Sequence, residues 1–176
     1  MSKPSATAVL VNFAGFQIGW FACVLGAAHG LPWAGTAIAL AIVAWHLARA
    51  PRPRAELALV LIAAGVGALW DSGLNALGWI HYASGVLIEG TAPHWIVAMW
   101  MLFATTLGVS LAWLGRNLAV AVAFGALGGP LAYLAGAKLG ALTFVAQNAA
   151  LAALALGWAV LTPVLLRLAS QKAAHA

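Results

Sequence analysis

Charge is nearly absent from this chain. Lys, Arg, Asp and Glu make up 6% of its 176 residues, and the only acids are Glu56, Asp71 and Glu89. A soluble globular domain is about a quarter charged. Hydrophobic residues make up 65%, more than a chain of this length can hide from water, because surface-to-volume scaling limits burial. A water-soluble fold is excluded, and the solvent must be lipid. Cysteine is scarce too. Cys23 stands alone, which excludes an intramolecular disulfide and a C-x-x-C redox pair. There is no nucleophile elbow, phosphate-binding glycine loop or dinucleotide fingerprint. No two histidines lie four apart, so helical haem ligation is not indicated, and no cofactor is expected. The basic residues cluster in short segments between apolar runs. The net charge of +5 therefore sets orientation and does not signal a nucleic-acid partner.

What is present is apolar sequence in long runs. A membrane-crossing helix needs about 20 apolar residues. Six segments qualify, at 7–28, 32–49, 55–78, 94–114, 117–137 and 146–168. The expectation is an all-α polytopic membrane protein, a single transmembrane domain over 1–176 with six helices. A lone lipid-exposed strand could not satisfy its backbone, and the short alternating segments of a barrel are missing. With the N-terminus inside, Lys3, Arg49, Arg52, Arg54, Arg116, Arg167 and Lys172 fall on the cytoplasmic side and Lys138 outside. That bias predicts both termini in the cytoplasm. Lys3 before Ala8–Ala28 mimics a signal peptide, but the run exceeds an h-region of about 7–15 residues and is read as the first span. The longest loop, 79–93, is expected outside. Trp33, Trp79, Trp95 and Trp113 fall near span ends, where aromatic belts form.

Asp71 lies within the third apolar run, about 24 Å from its cytoplasmic end at Ala55. An ionisable group at membrane depth is costly and marks a functional site by default. Asn75 follows one turn later on the same face, and Trp70 and Ser72 flank the acid. Gly67, four residues earlier, leaves room for a neighbouring backbone. The alternative is a structural acid satisfied by Asn75, Ser72 or another helix. His29, His81, Glu89, His94, Lys138, Gln147 and Asn148 cluster at outer span ends, with Tyr133 within reach. They suit a wet, outward-opening cavity with Asp71 at its floor. His81, Glu89, His94 and Asp71 are weak metal candidates, because no ligand-pair spacing is present. His46 is read as interfacial on the cytoplasmic side.

A deeper polar set comprises Asn12 and Gln17 on the first helix and Thr105, Thr106 and Ser110 on the fourth. Asn12 and Gln17 point about 140° apart, whereas Thr106 and Ser110 share a face. Hydroxyls of this kind bond their own helix or join helices. Phe13, Phe16, Trp20, Trp100 and Phe103 would make an aromatic interior suited to a lipid tail or to simple packing. Gly125 and Gly129 form one G-x-x-x-G, and Gly136 and Gly140 another. Such faces bring helix backbones close, within the chain or at a homo-oligomer or partner interface. Gly128-Gly129-Pro130 should kink the fifth helix.

Several strings are shared with a known family. They include Asn12-Phe13, Gln17, Trp20-Phe21, Asp71-Ser72 and Leu77-Gly78. Stronger are Pro93, Trp95, Trp100, Phe103-Ala104-Thr105-Thr106-Leu107, Ser110-Leu111 and Trp113-Leu114. Strongest are Gly128-Gly129-Pro130-Leu131, Tyr133 and Ala135-Gly136-Ala137-Lys138-Leu139-Gly140-Ala141. Over nearly its whole length the chain resembles DUF2878, a family of uncharacterised bacterial inner-membrane proteins. Gly108 departs from the pattern, where Asn is expected. The resemblance implies a multi-pass protein of the inner membrane. It also implies gene neighbours in fatty-acid modification, such as cyclopropane-type methyltransferases.

The reading that follows is a protein that binds or handles a lipid or other amphipathic small molecule, as an accessory to lipid modification. Asp71, Asn75, Trp70, Tyr133, Lys138, Asn12, Gln17, Thr106 and Ser110 are its candidate binding residues. Membrane lipids and a membrane-bound or lipid-modifying protein are its expected partners. The alternatives are a proton-coupled transporter, an intramembrane enzyme with Asp71 as acid or base, and a structural subunit. The enzyme reading, which would partner Asp71 with His81 or His94, is the least favoured, because no recognisable catalytic pair and no cofactor motif are present.

Overall fold

Local capping signals start most of the helices. In the computed structural model, which describes residues 4–174, the Ser5 hydroxyl accepts from the Ala8 amide and opens α1 (Ala6–Ala28). Proline occupies the first position of α2 (Pro32–Arg49) and α3 (Pro53–Ala76), where its missing N–H costs nothing. Pro93 precedes α4 (His94–Leu107). The Asn117 side chain accepts from two amides at the start of α5 (Leu118–Lys138), and α6 spans Gln147–Ala174. Lys3 lies outside the described residues, as does the Lys172 side chain.

Among the described residues four helices, α1, α3, α5 and α6, are long and apolar enough to cross a membrane. Their exposed faces carry large aliphatic groups, with Leu69 79% and Leu156 72% accessible. A surface of this kind is stable only against hydrocarbon. The other two helices fall short. The run of α2 is diluted by Pro32, Thr36, His46 and Arg49. The 14 residues of α4 extend only about 21 Å at 1.5 Å each, less than a bilayer core.

The expected span 94–114 is therefore not one helix. It stops at Leu107, passes through a turn and re-forms as a 3-10 segment at Ala112–Arg116. Asn12 of α1 holds the break. Its Nδ2 donates to the Thr105 carbonyl at 3.1 Å, and its Oδ1 accepts from the Ser110 amide at 3.3 Å and hydroxyl at 2.6 Å. A carboxamide thus replaces the helical partners that the turn forfeits. Thr106 and Ser110 consequently share no helix face.

Helix α4 is the hub of the molecule. It packs against α1, α2 and α3 and touches α6, while α5 packs chiefly on α6. Small residues set these approaches. A Cβ on Gly125 would meet the Trp158 carbonyl, and one on Gly129 would meet the Trp158 ring. The first glycine pair is thus used within the chain, between α5 and α6. The second pair is not a packing face. Gly140 has φ +88° and ends α5, with the Ala141 amide returning to the Gly136 carbonyl, a glycine-type C-cap. Pro130 lies inside α5 without ending it.

Two three-residue strands, β1 (Ile80–Tyr82) and β2 (Leu142–Phe144), pair antiparallel between the end of α3 and the start of α6. The sequence reading placed both in loops. Ser72 and Asn75 of α3 pin the loop after β1, bonding the Ala92 amide at 2.8 Å and the Thr91 carbonyl at 2.9 Å.

Candidate functional site

Asp71 is 0% accessible. Three donors from three elements converge on its carboxyl group. Tyr82 of β1 donates to Oδ1 at 2.7 Å, Tyr133 of α5 donates to the same oxygen, and Trp100 Nε1 of α4 donates to Oδ2 at 2.8 Å. These bonds satisfy the carboxyl oxygens and offset the cost of taking the acid out of water. Burial, and then the neighbouring Asp71 carboxylate, push the Tyr82 phenol well above its ordinary value. Tyr82 therefore remains a donor throughout the neutral range.

Glycine makes the cage possible. A Cβ on Gly67, one turn before Asp71, would collide with the Trp100 ring. Its absence lets the indole lie across α3 and reach the acid. What approaches over Gly67 is thus a ring, not the backbone that the sequence suggested. Sequence reasoning also missed Tyr82 and Trp100 as partners of the acid. A signal for Tyr82 was available in Ile80-His81-Tyr82, where buried, exposed and buried residues alternate, but three residues are too few to assert a strand.

Beside the cage runs a groove. Its inner part is a cavity of about 70 Å³ lined by Phe16, Trp20, Trp100, Phe103, Tyr133 and Trp158, among others. A second part of about 30 Å³ continues toward Trp95 and Leu142, and Trp20, Ile96, Met99, Ala132 and Tyr133 line both. The groove therefore follows α4, with α1 on one flank and α5 on the other. Phe16, Trp20, Met99, Ala132 and Trp158 are only half-buried, so it opens sideways between the helices. Trp100 and Trp158 stack at 4.5 Å, and Phe103 meets the Trp158 ring edge-on at 5.2 Å.

Over residues 9–164 the chain matches the family described as "Protein of unknown function (DUF2878)". The chain belongs to the DUF2878 family. No curated protein and no solved structure matches it. Every cage and groove residue named above lies inside the matched region.

In this DUF2878 chain the groove beside Asp71 is not the polar cavity expected. The groove lining is apolar apart from the Tyr133 phenol and the indoles, and Asp71 lies behind its wall rather than at its floor. Asn75 turns to the loop after β1 and not to the acid. Trp70 packs over Gly157 of α6. Lys138, the last residue of α5, is exposed and joins neither cluster. Thr105 and Thr106 donate to carbonyls three residues back in α4. Asn12 holds the α4 break, and Gln17 makes no hydrogen bond among the described residues. Of the five aromatics expected in the interior, Phe16, Trp20, Trp100 and Phe103 line the groove, whereas Phe13 is 54% exposed.

The histidines expected at outer span ends do not converge with Glu89. His81 and Glu89 are exposed. His94 stacks on Trp33 at 3.8 Å, with Nδ1 2.7 Å from the Thr36 hydroxyl. No group of three or more His, Cys, Asp or Glu that would hold a metal forms among the described residues. At the opposite end of the bundle, His46 and Glu56 pair at 3.5 Å.

Proposed function

We infer that this protein binds the apolar chain of an amphipathic molecule, a membrane lipid or a product of lipid modification, in the groove between α1 and α5. One observation carries the reading: an aromatic groove with a sideways opening, held in shape by a buried hydrogen-bonded cage. Apolar pockets with a few fixed polar groups are the usual form of small-molecule sites. Hydrocarbon reaches such a groove from the side without crossing water. Asp71 does not touch the chain in this reading. It orients Tyr133 and Trp100, which do.

The charge bias and the apolar runs support six membrane segments with both termini in the cytoplasm, α4 and the 3-10 segment together forming the fourth. Residues 79–93 are then outside, and the groove lies in the outer half of a bacterial inner membrane. Its role in this reading is accessory, beside a lipid-modifying enzyme.

Mass spectrometry of lipid retained by the purified protein tests this. Met99→Trp fills the floor of the groove and should strip retained lipid from protein that is otherwise folded. In a deletion strain, wild type should restore an altered fatty-acid profile and Met99→Trp should not. Equal lipid retention by both proteins, with identical profiles, would sink the reading.

A further inference from the structure

The polar hydrogens around the groove fall into two sets. Trp95 Nε1 donates to the Ser84 carbonyl, and Trp100 and Tyr133 donate to Asp71. Trp20 and Trp158, which also line the groove, have no acceptor among the described residues. Gln17 is a third group without a partner. It follows Phe16 and precedes Trp20 by one turn, and both of those line the inner part. Gly19 packs on Leu102 of α4. Gln17 lies about 160° round α1 from that contact, toward the open side of the groove.

Gln17 is the midpoint of α1, about 16 Å from either end at 1.5 Å per residue. In the six-segment reading that is the middle of the hydrocarbon core, where no water is available to an amide. A plain acyl chain would leave the amide and both indoles unsatisfied, which is costly at this depth. An indole N–H can donate and cannot accept. What the three groups share is the need for an acceptor. A hydroxyl would add a donor that the indoles cannot take. No Lys, Arg, Asp, Glu or His lines either part of the groove, so an ionised group would find no counter-charge.

We propose that the ligand is an acyl chain with a carbonyl group in its middle, a keto oxygen that accepts from Trp20 and Gln17. This rests on the reading that the groove binds an apolar chain, and it names the class. Volume favours a chain over a ring. The two parts of the groove hold about 70 and 30 Å³, whereas benzene occupies a cavity of about 150 Å³. Trp20 lies about 12 Å from the outer end of α1. The carbonyl therefore belongs near mid-chain in a molecule whose head stays at the outer surface.

The test uses full-length protein in nanodiscs, with empty discs giving the bilayer's own uptake. Methyl stearate, its keto derivative with the carbonyl at the twelfth carbon, and the matching hydroxy derivative are compared by equilibrium binding. Wild type should bind the ketone at least about fivefold more tightly than methyl stearate, the worth of one hydrogen bond, with the alcohol between. The infrared band of an isotopically labelled keto carbon should fall to lower wavenumber in the protein than in empty discs. Gln17→Leu and Trp20→Phe should each reduce the preference and return the band toward its position in empty discs. Neither side chain belongs to the buried core. Equal binding of ketone and methyl stearate by wild type overturns the proposal and leaves the groove reading standing. Binding of none of the probes overturns both. Tighter binding of the alcohol, or of a decyl-substituted benzoquinone added as a fourth probe, overturns the assignment of a keto chain. An unchanged preference in both variants overturns the role of α1, and loss of a dimer in Gln17→Leu would then assign the amide to a second copy of the chain.

Discussion

At the scale of single residues, Asp71 dictates what its neighbours are. Its carboxyl oxygens face three donors, Tyr82, Tyr133 and Trp100. Asp71→Asn turns an amide N–H₂ toward one of them and leaves a buried donor unmatched, a loss of about 1–3 kcal/mol. Tyr82→Phe and Tyr133→Phe each remove one bond to Oδ1 and should cost about 1–2 kcal/mol. Denaturant titration in mixed micelles measures all three. Because the groups share one carboxyl, Asp71→Asn combined with Tyr133→Phe should cost less than the sum of the single changes. Strict additivity would show that the cage does not act as a unit.

Neighbouring glycines separate by what surrounds them. Gly129 faces the Trp158 ring, whereas a Cβ on Gly128 has 3.8 Å to the nearest atom, in Phe124. Gly129→Ala should therefore destabilise by about 1–3 kcal/mol through overpacking. Gly128→Ala should be neutral, or stabilising by up to about 1 kcal/mol. Similar losses at both positions would mean that α5 does not lie on α6 in this orientation.

At the scale of elements, α4 explains both the site and the departure from a simple row of spans. Ten of its 14 residues are buried, so the other helices, not lipid, satisfy its surface. A helix sheltered in this way can be short and can end inside the bundle. Its end depends on Asn12. Asn12→Ala removes bonds to Thr105 and Ser110 and should cost about 1–2 kcal/mol, near the upper range for interhelical bonds in membranes. Hydrogen exchange should rise first at residues 108–111. The β1–β2 pair plays the matching part at the other end. It carries Tyr82 into the cage and closes the bundle over Asp71, which ties the groove walls to the loop after β1.

At the scale of the whole molecule, α1 and α5 flank α4 without forming a packed pair with each other, and the groove is the space left between them. Orientation is testable here. Reporter fusions in the 49–54 connector should read cytoplasmic, and fusions within 79–93 should read external. An external reading for 49–54 would reverse the topology and move the groove to the other leaflet.

The sequence by itself determined the solvent of this protein, the family, and the ends of most helices. Composition and apolar run length are local properties, and the runs 7–28, 32–49 and 117–137 fall within one residue of α1, α2 and α5. Asp71 stood out for the same reason, since a charge in an apolar run is visible without a fold, and Tyr133 was placed within its reach. Only the tertiary structure decided which groups satisfy the acid, where the fourth apolar run breaks, and which glycines pack. Those outcomes depend on contacts between residues far apart in sequence, such as Asn12 with Ser110 and Asp71 with Tyr133. They also depend on strands too short to carry a period of their own. The groove is the extreme case. It is a gap between helices, and a gap has no sequence.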